Sequence, residues 1–251
     1  MIDLHCHILP GLDDGSASSS MTVEMARLAV KTGTTDIVCT PHCRSSDRTL
    51  PRRIDEICQL TSRMNLLLRE CGVELNLYPG MELLCRDGLL ELLESEDVLT
   101  LAGSRYLLIE FDFDAPLSRM EEAIDLITDF RLRPVVAHPE RYTAIQRDPR
   151  QLDEWFRRSC LIQVNKGSIL GRFGPQPEAC ADWILRNGLA HLVASDAHRS
   201  GIRTPDLADA YAVVARRYSR AYAEVLFCRN PKRLLQDRDI VRPDESRGDT
   251  L

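Results

Sequence analysis

The chain opens with Met1-Ile2-Asp3-Leu4-His5-Cys6-His7, a short apolar tract ending in His-x-His. Side chains two apart on a strand point to the same face, so a strand here aims both imidazoles at one point. Imidazole is the commonest side-chain metal ligand, and packing alone gives little reason to stop an opening strand on two of them. A pair of surface or hydrogen-bonded histidines is the plain alternative. The rest of the chain has to decide between the two.

The sequence holds six histidines, and five of them (His5, His7, His42, His138 and His198) follow strand-like apolar runs beside Asp, Pro or Glu. The further tracts are Asp36-Ile37-Val38-Cys39-Thr40-Pro41-His42, Pro134-Val135-Val136-Ala137-His138-Pro139-Glu140-Arg141 and Leu192-Val193-Ala194-Ser195-Asp196-Ala197-His198. The carboxyl ends of parallel strands are where α/β folds gather their chemistry. His191 begins a strand instead of ending one and reads as structural.

Around these tracts, strands and helices alternate. Met21, Met25, Leu28 and Ala29 predict a helix from about Ser20 to Lys31, with Gly33 where a C-cap glycine belongs. A second amphipathic helix is expected over Arg52–Glu70, followed by a third strand over Val73–Tyr78. Tyr106–Phe111 is the fourth strand and carries Glu110 inside an apolar run; a buried carboxylate must be paired or ligate a metal. Helix Pro116–Phe130, strand Pro134–Ala137, helix Pro149–Arg157, strand Cys160–Asn165, helix Pro177–Arg186 and strand Ala190–Ala194 continue the pattern, and two short helices follow Tyr211. About seven strands with long crossovers predict an α/β fold, a closed or distorted (β/α) barrel.

No linker divides the 251 residues, so one domain is expected over 1–240, with the polar, aperiodic stretch 241–251 expected to be a disordered tail. A net charge of -6 argues against general nucleic-acid binding. A strand starting at Ile2 leaves no room for a secretory leader, and no apolar run approaches the roughly 18 residues of a membrane span. The protein is therefore expected in the cytoplasm, with no direct membrane insertion. Nine cysteines without Cys-x-x-Cys spacing read as reduced thiols. A cysteine-phosphatase loop is not found: Cys43 and Arg48 stand too close together, and Cys180 and Arg186 lie on a glycine-free amphipathic stretch.

Collecting the strand ends gives His5, His7, His42, His138 and His198 with four carboxylates, Asp14, Glu82, Glu110 and Asp196. These are too many for one ion, and mixed imidazole and carboxylate suits manganese, zinc or iron. Two divalent ions would neutralise four carboxylates, whereas three would leave a positive site for a phosphomonoester of about -1.5 to -2 charge. Clustered ions about 3.5 to 4 Å apart are the usual solution for phosphoester hydrolysis. Arg141 and Arg203, beyond His138 and His198, would stand at the mouth, where guanidinium can bind phosphate oxygens bidentately; solvated loop arginines are the alternative.

The ordered set of tracts resembles the polymerase and histidinol phosphatase (PHP) superfamily, specifically its bacterial manganese-dependent protein-tyrosine phosphatases of the CpsB/CapC type. The matching residues are Asp3 to Gly15, Thr40-Pro41-His42, Pro79-Gly80-Met81-Glu82, Leu108-Ile109-Glu110-Phe111, Ala137 to Arg141, Gln163-Val164 with Gly167-Ser168, Ala194 to His198, and Asn230-Pro231. The resemblance implies a distorted (β/α)7 TIM-like barrel that binds two or three divalent ions, usually Mn2+ with Fe or Zn as options, through the nine residues above. It also implies Arg141 and Arg203 on the phosphate, and attack on phosphorus by a metal-bound hydroxide. The implied substrate is the phosphotyrosine tail of a bacterial tyrosine autokinase that regulates capsule or exopolysaccharide biosynthesis. The chain departs from the family's pattern in the loop Cys43-Arg44-Ser45-Ser46-Asp47-Arg48 and at Lys166, both expected near the mouth and bearing on peptide preference. Arg44, Arg48, Arg52 and Arg53 could grip an acidic phosphopeptide or form a solvated basic face.

Three rivals remain at this level. A PHP-type small-molecule phosphoesterase, acting on histidinol phosphate or a nucleotide, would keep the metals and change the substrate. An amidohydrolase barrel would bridge its metals with a modified lysine, for which Lys166 is the strand-end candidate. A non-catalytic, metal-stabilised module bound to a kinase would keep the ligands and lose the chemistry.

Overall fold

The computed structural model describes residues 1–158 and 160–241, so the stretch 242–251, expected above to be a disordered tail, lies outside the described residues. Among the described residues there are nine strands, all paired in parallel. They are β1 (Ile2–Cys6), β2 (Asp36–Cys39), β3 (His42–Arg44), β4 (Asn76–Pro79), β5 (Glu82–Leu84), β6 (Tyr106–Glu110), β7 (Arg133–Ala137), β8 (Leu161–Asn165) and β9 (Leu192–Ala194). Their order is β1-β2-β4 in one sheet and β3-β5-β6-β7-β8-β9 in the other.

The excess over seven has a local cause. The second tract breaks at Thr40-Pro41 and the third at Gly80-Met81, so each supplies one strand to either sheet. Register survives the break: Cys39 faces Pro79 before it and His42 faces Glu82 after it. Pro41 has no N–H for a ladder bond, and Thr40 turns aside to donate its own to the Cys6 carbonyl at 3.0 Å. At Gly80 a Cβ would lie 2.7 Å from Val38 Cγ1, so only glycine permits the close approach. The third strand also starts later than its hydrophobic pattern predicts, at Asn76.

The edge strands β1 and β9 approach each other beyond their ends. Asp196 N–H donates to the His5 carbonyl and His7 N–H to the Ala197 carbonyl, each at 2.8 Å, and Cys6 and Ala197 form a parallel bridge. The buried Asp3 carboxylate accepts from the Ser195 backbone N–H at 3.0 Å and from its hydroxyl.

Strand faces alternate between two apolar clusters. Tyr106 and Leu108 of β6, Val135 and Ala137 of β7 and Leu161 of β8 pack with Ile2, Leu4 and Leu192. The intervening Leu107, Ile109, Val136, Ile162 and Val164 pack in the larger cluster with the helices. Burial on both faces is what near-continuous apolar strands in parallel sheets require. Going up β6 and β8, the face of Tyr106 and Leu108 ends at Glu110, and that of Leu161 ends at Gln163 and Asn165. One face thus grades from apolar to polar toward the carboxyl ends.

The helices fill the crossovers. Ser19–Lys31 is capped by the Ser18 hydroxyl accepting from Met21 N–H, and Gly33 at φ 89° follows its end. Leu50–Glu70, Leu117–Asp129 and Pro175–Arg186 are the other long ones, each within two residues of the expected start. His191 is buried as a scaffold residue: its Nδ1 accepts the Ile162 N–H at 3.1 Å, and its ring lies 5.0 Å from that of Phe156.

The Tyr142 hydroxyl joins the ends of two strands, donating to the Ala137 carbonyl at 2.9 Å and accepting the Phe111 N–H at 3.2 Å in a fully buried setting. Tyr142→Phe leaves both backbone groups unmet and is expected to cost about 1–3 kcal/mol in urea or guanidinium unfolding; an unchanged midpoint would show that the tie contributes nothing.

Candidate metal centre

Strand β1 sets the centre. His5 and His7 point the same way, with their Nε2 atoms 3.2 Å apart. Each ring is oriented by a bond at its other nitrogen: His5 Nδ1 to Gln163 Oε1 at 2.9 Å, and His7 Nδ1 to Asp13 Oδ2 at 2.7 Å. His198 follows the same rule, its Nδ1 lying 3.0 Å from the Asp196 carbonyl. An acceptor at Nδ1 holds the proton there and leaves the Nε2 lone pair facing inward, as metal-ligating imidazoles are usually held.

The carboxylates fill the space between the rings. Glu82 is fully buried; its Oε1 lies 3.2 Å from His5 Nε2 and 3.0 Å from His138 Nε2. Its Oε2 lies 3.3 Å from His7 Nε2 and 3.0 Å from His42 Nδ1. Glu110 Oε1 stands 3.0 Å from the same His42 nitrogen. Asp196 Oδ1 is 3.5 Å from His7 Nε2, and Asp14 Oδ1 is 3.3 Å from His198 Nε2. The candidate ligands form four overlapping groups, each with its donor atoms within 4.8 Å of one another: His7, Asp14, His42 and His198; His5, His7 and Asp196; His5, Glu82 and His138; His42, Glu82 and Glu110. All nine residues singled out in the sequence are thus brought together.

Several observations fit divalent cations to this donor set. Buried His42 Nδ1, Glu82 Oε2 and His198 Nε2 have no hydrogen-bond partner, and two imidazole lone pairs confront each other across His5 and His7. Burial opposes ionisation of Glu82 and Asp196, yet His5 and the neighbouring imidazoles hold both carboxyls well below the usual range. Burial likewise favours neutral His7 and His42, but the carboxylates facing them outweigh it, raising His7 well above its ordinary value and His42 to about 10. The field at the centre therefore attracts positive charge. His198 goes the other way: burial and then His7 lower it to about 4, keeping its lone pair free.

Backbone strain collects here too. His138 (φ 37°), Asp196 (φ 49°) and Arg203 (φ 53°) occupy the left-handed region, which is uncommon for residues other than glycine. Both arginines reach Asp196: Arg203 Nη2 donates to Oδ1 at 2.6 Å and Arg141 Nη1 to Oδ2 at 3.3 Å.

The sequence does not reveal the residues behind the candidate ligands. Asp13 orients His7 and also accepts the His42 N–H at 3.0 Å, while Asn165 Nδ2 donates to Asp196 Oδ2 at 2.6 Å. Gln163 and Asn165 were visible as polar residues in an apolar strand. Nothing in the sequence distinguished Asp13 from its neighbour Asp14.

Two expectations about the mouth are corrected. Lys166 is buried and turned away from the cluster: its ammonium donates to the Asp206 carbonyl and lies 3.4 Å from Thr204 Oγ1, so it neither bridges metals nor lines the mouth. Arg53 is not a free member of a basic face, because its guanidinium donates to the Leu12 carbonyl. Cys43 is buried, and burial pushes its thiol up to about 12; Cys180, on helix Pro175–Arg186, is pushed to about 12 by burial and then Glu140. Neither is disposed to be a thiolate.

Known proteins resemble this chain over nearly its whole length. The family described as "Capsular polysaccharide synthesis, CpsB/CapC" matches residues 1–236. Tyrosine-protein phosphatase YwqE of Bacillus subtilis is 32% identical over 245 residues, 96% of this chain and 94% of the relative. Tyrosine-protein phosphatase CpsB of Streptococcus pneumoniae is 29% identical over 245 residues, 96% of this chain and all of the relative (100%). A solved structure from work on YwqE of B. subtilis and CpsB of S. pneumoniae, described as unique metal-dependent tyrosine phosphatases, superposes with a TM-score of 0.88 at 32% identity, covering 96% of this chain and 97% of the other. With a family match running almost from end to end, this chain belongs to the CpsB/CapC family of capsular polysaccharide synthesis proteins.

Proposed function

We propose that this protein is a metal-dependent protein-tyrosine phosphatase whose ligands are His5, His7, Asp14, His42, Glu82, Glu110, His138, Asp196 and His198, with Arg141 and Arg203 binding the phosphoryl group. The observation that carries the reading is the convergence of these nitrogen and oxygen donors with both guanidinium groups beside them. The names of the relatives supply the substrate class. Manganese, as two or three ions, is the proposed metal, since the imidazole and carboxylate set suits it; four carboxylates balance two such ions, and a third would leave the site positive for the phosphoryl group.

Divalent cations bound there would acidify a water and neutralise charge on the phosphoryl oxygens. The chain's own residues do the rest. Glu82 stands centrally, each oxygen shared between two imidazoles, and would hold the cations together with them. Gln163 and Asp13 keep the protons of His5 and His7 on Nδ1. Arg141 and Arg203 would exchange Asp196 for phosphoryl oxygens, gaining charge-assisted bonds there. Water attack then releases the tyrosine hydroxyl and inorganic phosphate.

We read the two sheets as one distorted (β/α)7 barrel spanning the single domain. The support is that β2 runs on into β3 and β4 into β5, while the Cys6–Ala197 bridge joins the edges next to β9. The proposed partner is the phosphotyrosine tail of a bacterial tyrosine kinase in capsule or exopolysaccharide biosynthesis, met in the cytoplasm. No helix among the described residues is long and apolar enough to cross a membrane.

The deciding test is metal analysis combined with a phosphotyrosine-peptide assay, with and without chelator, using histidinol phosphate as competitor substrate. Turnover should vanish with chelation, return with Mn2+, and favour the peptide; preference for histidinol phosphate would overturn the protein-phosphatase reading. His138→Ala and Asp196→Ala should each abolish turnover. Cys43→Ser should leave it largely intact, and its loss at unchanged metal content would point to a thiol nucleophile instead. Asp13→Ala, which frees the His7 ring, should weaken metal affinity by about 10–100-fold in a chelator-competition titration; unchanged affinity would show that Asp13 does not orient a ligand.

A further inference from the structure

Arg141 is held by aromatic rings. Its guanidinium carbon lies 4.5 Å from the ring centroid of Phe113 and 4.6 Å from that of Phe173. Such contacts attract the cation electrostatically and limit where its planar fork can turn. Phe113 follows β6, and its carbonyl accepts the Thr143 N–H at 2.8 Å, tying its backbone to the Arg141 loop. Phe173 depends on Gly167, where a Cβ would lie 2.5 Å from Phe173 Cε2. The two rings differ in exposure. Phe173 is half-buried, whereas Phe113 is 47% exposed although its ring centroid is only 6.2 Å from that of His138. A large apolar ring left open beside a ligand histidine and an arginine calls for an occupant.

We propose that Phe113 selects the aromatic leaving group: its open face packs against the aryl ring of the phosphoester, while Phe113 and Phe173 together position Arg141. This rests on the phosphatase reading. An ester whose phosphoryl oxygens take the free N–H groups of Arg141 must direct its organic part away from the buried donors. Phe113 offers that part an aromatic surface in contact with the same guanidinium. An alkyl ester would gain the arginine but not the ring contact, so Phe113 separates phosphotyrosine from phosphoserine by affinity as well as reach. Phe173 serves Arg141 alone and should not discriminate.

The test compares binding of phenylphosphonate and methylphosphonate to the manganese-loaded full chain by calorimetry, in wild type, Phe113→Ala, Phe113→Leu and Phe173→Ala. Wild type should prefer phenylphosphonate, and both Phe113 variants should lose about two- to tenfold of that preference, the range that aromatic pairs contribute. Phe173→Ala should weaken both ligands alike and keep their ratio. An unchanged ratio in the Phe113 variants, or no preference in wild type, overturns the assignment. Phosphotyrosine turnover by wild type, measured in parallel, tests the parent reading separately: its absence sinks the phosphatase, whereas its presence with an unchanged ratio sinks only the role of Phe113.

Discussion

Everything in this structure is arranged around lone pairs forced to face one another. Five imidazoles and four carboxylates crowd one end of the sheets, several of them fully buried, with oxygens and nitrogens 3.0 to 3.6 Å apart. In a medium where water cannot screen them, unpaired charges of one sign are costly, and Glu82 and Asp196 stay ionised only because positive charge is close by. The raised values of His5, His7 and His42 express the same demand, with the proton standing in for a cation. A cluster like this is unstable as a piece of ordinary core and makes sense as a cation site.

The scaffold holds that arrangement in place by specific bonds. Asp3 grips Ser195 and so fixes the turn in which Asp196 adopts a left-handed backbone. Asp13 binds His7 and the His42 backbone together, and Gln163 reaches from β8 to His5. Glu140, also fully buried, accepts from the Asn165 N–H at 2.9 Å and the Ser168 hydroxyl at 2.7 Å, joining the turn after His138 to the one after β8. The break in the second and third tracts belongs to the same design, since it lets His42 and Glu82 begin new strands side by side in register. Strain at three non-glycine positions is tolerated because these contacts over-determine the local geometry.

The rim is built differently from the floor. There, arginines are placed by stacking and by a shared carboxylate, and they keep N–H groups that a phosphoryl oxygen could take. Floor and rim meet at Asp196, which Arg141, Arg203 and Asn165 all contact. Loss of that one side chain would therefore disturb the buried cluster and arginine placement together.

Legible in the sequence alone were the parallel α/β class and the nine histidines and carboxylates that converge at the strand ends. Short continuous apolar runs mark strands wherever their flanks are clear, and histidines at strand ends, as at His5-Cys6-His7 and His138, are informative because strand geometry fixes which way they point. Only the tertiary structure decided what lies behind those donors. That Asp13 and not Asp14 orients His7, that Lys166 turns away toward Asp206, and that Phe113 and Phe173 meet on Arg141 depend on contacts between segments distant in sequence. The split of two strands at Pro41 and Gly80 was hidden for a related reason: a missing N–H or Cβ matters only once a neighbouring strand is in position. Local pattern carries direction along one strand, whereas partnership is a property of the packed whole.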